Sequence, residues 1–364
     1  MLSGMSVYSS TSGMASDRPM ARIVAGLSAV SVSHAIDLAF FFPEEGDARP
    51  DMLIAETRRH LGGCITAIEM ALRLSLDHAP DVVAALDGWP APLAWPIVRA
   101  QPTLISPELL NHMRMRAGVT AMLRQVGHAD VEQLGEGEQG VVPSVNDPQL
   151  GDLMSSLMLA EARWTTPGAE DAPMKADLPA EHFAELTWTV AACLAQVASR
   201  TLGHGVGLLL PAFDRSGWKL LGDHDEEICP ISQADLLVRK MDERADHPEL
   251  LGLLLEQRRF LLFAAVVARR LRMESRQIVG LLVMGTVEQL ASLCRTLGGS
   301  DADYRLLLLA LRPVRPALSD AMIVAEADRY RDMDDAQAQN RIAALRTSAA
   351  LRAKVDHLHE VSGT

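Results

Sequence analysis

The residues best suited to bind a partner are six arginines, Arg258, Arg259, Arg269, Arg270, Arg272 and Arg276, which flank an apolar run and its successor. The guanidinium fork matches carboxylates and phosphates, and arginine is enriched at protein interfaces. The plainer reading makes them solvated helix ends paired with Glu256, Glu274 and Asp242, and surface pairs of that kind contribute little. The densest set of metal-ligand types is Asp223-His224-Asp225-Glu226-Glu227. Adjacent side chains cannot all face one ion, and neither EF-hand alternation nor HExxH spacing is present, so it reads as a solvated acidic loop. His357-Leu358-His359-Glu360 reads as a frayed surface helix.

Other motifs fail on context. Gly135-Glu136-Gly137-Glu138-Gln139-Gly140 spells GxGxxG, but no strand precedes it and its two glutamates would repel phosphate. It reads as an acidic loop. Gly203-His204-Gly205-Val206-Gly207 follows a helix and suits a C-terminal cap. Ser216-Gly217-Trp218-Lys219 matches SxxK without the companion Ser-Asp-Asn or Lys-Thr-Gly motifs of that chemistry. Cys64, Cys193, Cys229 and Cys294 are too far apart for a zinc knuckle or a redox pair and read as buried thiols in a reducing cytoplasm. No catalytic residue, cofactor or metal is expected.

The elements that would carry these residues are helical. Ala, Leu, Arg, Glu and Met are abundant and aromatics make up only 4% of 364 residues, a mixture that favours helix over sheet. That length is enough for two domains. The net charge of −13 argues against a chain held on nucleic acid by bulk charge. It is also local. Residues 126–185 hold Arg163 and Lys175 against 12 acids, while 1–125 and 186–364 are each nearly balanced. Bulk charge therefore excludes little, and only the lack of a cationic reading helix speaks against nucleic acid; 275–297, with Gly285 in its turn, reads as a plain helical hairpin. The longest apolar runs, Gly205 to Phe213 and Phe260 to Ala268, are nine residues each, less than half of a membrane span.

Four segments are expected: a disordered tail over 1–19, a HEAT-like helical domain over 20–125, an acidic connection with one helix over 126–179, and a C-terminal helical domain over 180–364. Proline followed by an acid opens helices at Pro50-Asp51, Pro80-Asp81 and Pro107-Glu108, and short helices at that spacing stack as an α-solenoid. Asp147-Pro148 opens the helix of the connection, and a second loop follows from Thr165 to Pro179. In the C-terminal part the pattern predicts helices over 186–202, 233–244, 249–256, 258–271, 275–283, 286–297, 301–311, 319–330 and 334–359. Capping boxes are expected at Ser232 to Asp235 and Ser300 to Asp303. Residues 205–222 fit a hairpin or a break between helices.

The stretches Ala71 to Trp89, Leu93-Ala94-Trp95-Pro96-Ile97-Val98 and Leu104 to Leu110 resemble an uncharacterised, mainly alphaproteobacterial family, a domain of unknown function with HEAT-like N-terminal helices. Phe260 to Ala265, Leu290 to Arg295 and Tyr304 to Leu311 are similar to its C-terminal part. The resemblance implies a cytosolic helical scaffold or regulator and carries no catalytic residues. Together these readings give an all-α, non-enzymatic protein that binds a protein partner, with the six arginines as the candidate surface. A sensor holding a small apolar ligand between helices is the alternative, and a DNA-binding regulator stands behind it.

Overall fold

The computed structural model describes residues 32–43, 51–124 and 148–347, with positions 351, 354, 355 and 358. The expected tail over 1–19, the Gly135 to Gly140 loop, Pro50, and His357, His359 and Glu360 lie outside the described residues. The described chain is all helical, with no strand. In order come α1 (Val32–Phe41), α2 (Met52–Ser75), α3 (Pro80–Asp87), α4 (Ala94–Ala100), α5 (Pro107–Arg124), α6 (Pro148–Thr165), α7 (Ala180–Leu202) and α8 (Leu210–Gly222). Then follow α9 (Pro230–Met241), α10 (Leu250–Glu256), α11 (Phe260–Leu271), α12 (Ser275–Met284), α13 (Val287–Thr296), α14 (Asp301–Ala310), α15 (Asp320–Arg331) and α16 (Asp335–Arg346).

Local chemistry explains most of the boundaries. Asp51 caps α2 by accepting from the Leu53 N–H at 2.8 Å, and Ser319 and Asp334 cap α15 and α16 in the same way. Ser300 and Asp303 close the expected capping box. Ser232 does not cap a helix. Pro230 starts α9 and Cys229 takes the cap position, its sulfur accepting from the Ser232 N–H, because proline fits the first helical turn. The ambiguous stretch 205–222 contains a short 3-10 turn and then α8. Gly217 lies inside that helix, where a Cβ would fall 2.4 Å from the Trp188 ring. It permits close packing and makes no turn.

α2 is the central element of the N-terminal stack and touches α1, α4, α5, α7 and α8. The apolar contacts do not divide at the expected boundaries. One cluster joins α1 to α4 with Leu109, Leu110 and Met113 of α5 and with Leu186, Val190, Leu194 and Phe213 of α7 and α8. The other joins Met115, Val119 and Met122 of α5 with Leu157 and Trp164 of α6 and with helices from α9 onward. α5 serves both.

The second loop of the connection, 166–179, is a packed strap lying across α2. Met174 donates its N–H to the Gly63 carbonyl at 3.0 Å. A Cβ at position 62 would lie 2.3 Å from the Glu170 carbonyl oxygen, and one at 63 would lie 2.8 Å from that of Ala172. Two adjacent glycines weaken a helix interior by roughly 1 kcal/mol each, and here they let backbone cross backbone. Gly62→Ala is expected to lower stability by about 1–3 kcal/mol, because the obstacle is main chain that cannot rotate away. A urea melt with an unchanged midpoint would show the strap to be loose.

Candidate functional site

The structure distributes the six arginines over several places. Arg269 and Arg276 line a solvent-open groove of about 520 Å³ between α9, α11 and the start of α12. Arg258, at φ 53°, lines a separate cleft of about 250 Å³ beside Glu256, Phe260 and Leu309. Arg259 precedes α11 and sits near Glu161 of α6. Arg270 donates to the carbonyls of Ala245 at 3.1 Å and His247 at 2.6 Å, and Arg272 ends α11 in a left-handed turn at φ 51°. Of the acids expected to pair with them, Asp242 does so, 3.7 Å from Arg269.

The groove has an apolar floor and a charged rim. Ile231, Val238, Ala265 and Ala268 are buried beneath it. Arg239, Arg269 and Arg276 stand around it with Asp235 and Glu274. Arg269 also reaches Asp246 at 3.1 Å, and Arg276 lies 3.7 Å from Glu226. Ser275 donates to Asp235, whose pKa burial raises while this bond, Arg239 and Arg276 oppose the rise. No histidine is among the described residues that line the groove. The groove can recognise anionic and apolar groups. Arg239 was missed because it lies on α9, with α10 between it and the arginine-rich run.

The remaining sequence candidates take structural places. His224 stacks flat on Phe183, with ring centroids 3.8 Å apart, and its Nε2 bonds to the Leu178 carbonyl at 2.8 Å. Glu226 accepts from the Ala180 N–H at 3.1 Å. The expected acidic loop thus clasps the start of α7, and no group of three metal-ligating side chains fit to hold an ion occurs among the described residues. Ser216 is buried and donates to the Ser75 carbonyl at 3.0 Å, which removes it as a nucleophile. Gly203, at φ 67°, ends α7 as expected.

The strongest electrostatic feature is in the interior. Arg116 and Asp177, both fully buried, pair at 2.9 Å. The Arg116 guanidinium lies over the Trp164 ring, 4.5 Å from its centroid, and Trp164 Nε1 donates to both Asp177 oxygens at 3.1 Å. Arg59 binds the carbonyls of Trp164 and Thr166 at 2.6 and 3.0 Å and pairs with Glu56 at 2.8 Å; Arg124 also bonds to Glu56. His60 shares a 2.8 Å bond with Thr120, and burial together with the surrounding arginines holds its pKa well below 6.5. Burial pushes the neighbouring Cys64 thiol up to about 11. The signal for this network was present in the sequence: Arg116 falls at helical spacing between Met113 and Val119, a charge inside an apolar stripe.

Comparison with known proteins gave no match to a family model, a curated protein or a solved structure.

Removing one partner of a buried pair leaves an uncompensated charge. Asp177→Ala is therefore expected to cost about 3–5 kcal/mol in chemical denaturation, against under about 1 kcal/mol for Asp320→Ala at the exposed Arg312 pair. Equal losses would show that the interior pair is solvated.

Burial pushes Glu161 up to about 7 from 4.5, with Arg259 partly opposing it. A carboxyl whose folded pKa is raised favours folding when protonated, and this contribution is lost as pH rises through the folded value. Glu161→Gln should accordingly raise Tm relative to the parent near pH 8, and the gain should vanish near pH 4.5. A gain independent of pH would exclude the titration.

Proposed function

We propose that this chain is a non-enzymatic helical scaffold or regulator, and that the groove between α9, α11 and α12 receives a segment of a protein partner carrying carboxylates beside apolar side chains. The observation that carries the reading is the groove itself. An apolar floor sits beneath three guanidinium groups, one each on α9, α11 and the start of α12, in a volume suited to a few side chains. Arginine binds carboxylates through paired, charge-assisted hydrogen bonds, and apolar contact beneath it supplies affinity that charge alone does not. Four buried free cysteines suit a reducing compartment, which supports a cytoplasmic setting. No helix among the described residues is long and apolar enough to cross a membrane.

A small apolar ligand is the second reading. It is favoured by the cleft of about 250 Å³ that Met122, Leu254, Leu255, Phe260 and Leu306 line beneath Arg258 and Glu256. The DNA-binding reading is weaker, because Arg270 and Arg295 engage carbonyls of the chain itself.

Selection of random peptides on the intact protein tests the first reading. The enriched sequences are expected to combine Asp or Glu with Leu, Ile or Phe and to bind more weakly as salt rises. Their binding should fall at least about tenfold in Arg239→Glu with Arg276→Glu and hold in Arg258→Glu. Enriched peptides that ignore the first pair of substitutions and fail with the second would transfer the site to the cleft.

A further inference from the structure

Three helices meet where α7 begins. His112 of α5 and His182 of α7 face each other with ring centroids 4.9 Å apart at an angle of 45°. α12 packs against α5, and its Arg276 is close enough to act electrostatically on both rings. Glu226 joins the same place from the loop after α8, accepting from the first N–H of α7 and lying 3.7 Å from Arg276. His112 Nε2 is buried with no hydrogen-bond partner among the described residues. The two rings do not share one electrostatic setting. His112 faces cationic Arg116 and Arg276 as well as His182. His182 has Glu181 and Glu185 of its own helix, Glu108 of α5, and Arg276. Glu185 is already engaged, since it accepts from the N–H and the hydroxyl of Ser106 at 2.7 Å each.

We infer that this junction is a proton-sensitive latch, closed while both imidazoles are neutral and opened when the facing pair takes up a proton. A proton on His112 would place a cation beside a second imidazole and two guanidinium groups, with a ring nitrogen that has no acceptor. Relief requires the junction to loosen enough for water to reach that nitrogen. Burial, the largest effect on each ring, holds both below the ordinary value of 6.5, and the carboxylates around His182 only partly offset it.

The sign follows from linkage. Histidines whose folded pKa is depressed favour the closed state above the open-state pKa, and that preference is lost as pH falls below about 6.5 toward the folded values. Each ring that takes up a proton in the open state raises the opening constant as pH falls over that range. The latch does not rest on the groove reading, although Arg276 belongs to both places.

Hydrogen exchange of the intact protein at about pH 7.5 and about pH 5.5, corrected for intrinsic exchange rates, tests the inference. Segments 107–116, 180–190 and 275–280 should lose protection at the lower pH, while 301–346 should change little. His182→Phe keeps a ring against His112 but cannot take a proton, and it should shrink the local pH effect several-fold. Nuclear magnetic resonance titration of the parent histidines provides a second measurement that does not depend on the variant folding, and both rings should titrate below the ordinary value. Protection equal at the two pH values, an effect undiminished in His182→Phe, or rings titrating near 6.5 would each overturn the latch.

Discussion

A single ion pair without access to water organises much of this fold. Removing two charges from solvent costs several kcal/mol each, and Coulomb attraction offsets this only when the geometry is good and the remaining lone pairs are occupied. Asp177 meets that condition by accepting from Trp164 as well as from Arg116, whereas Arg116 Nε and Nη1 have no hydrogen-bond partner among the described residues and lie at the Trp164 ring instead. Trp164 contributes twice, as the donor and as the face beneath the guanidinium. For these groups to converge, the end of α6 must lie beside α5 and the strap must cross α2 at Gly62 and Gly63. An apolar trio of equal volume would hold the helices at least as firmly. The ions add intolerance of a shifted register, because a displaced α5 or strap leaves a charge with no partner.

The same economy governs arginine elsewhere. Arg59, Arg270, Arg295 and Arg315 end on backbone carbonyls, where the planar fork covers acceptors that short helices and turns leave open. A cluster of arginines in the sequence is therefore weak evidence for a binding surface in an all-helical chain with many helix ends. What separates Arg239, Arg269 and Arg276 from the rest is the apolar floor beneath them. That floor is what makes the groove a candidate for binding, since charge at a surface contributes little by itself.

Most helices were legible in the sequence because their signals are local. Pro80, Pro107 and Pro148 begin helices where proline followed by an acid or preceded by an aspartate indicated, and Ser300 caps α14 through three successive bonds. Local signals left 205–222 open between a hairpin and a break, and Gly217 lies inside a helix there. The reason is a non-local contact, the Trp188 ring, which only a glycine can approach so closely. They failed at 166–179, whose Pro, Gly and acidic residues look like solvent-facing chain although Asp177 is buried. The candidate groove was half legible. Arg269 and Arg276 were named from the sequence, while Arg239 and the apolar floor come from α9 and α11 approaching across about thirty residues of chain. The interior network is not legible locally, because its long links, from His60–Thr120 to Arg59–Thr166, join residues 60 to 107 apart in sequence.

α5 contributes Leu109, Leu110 and Met113 to one apolar cluster and Met115, Val119 and Met122 to the other. α7 and α8 pack with helices that precede the acidic stretch, and α6 packs with helices that follow it. The chain thus crosses over itself before it is complete, in the manner of two interlocked hooks. Cutting it anywhere between α5 and α7 separates surfaces that belong to the same interior. A truncated piece would expose leucines and methionines of a broken core, and any stickiness it displayed would be that of a wound and not of a binding face. A fragment with an intact interior must keep the chain from α5 to α7 joined to the helices on both sides of it.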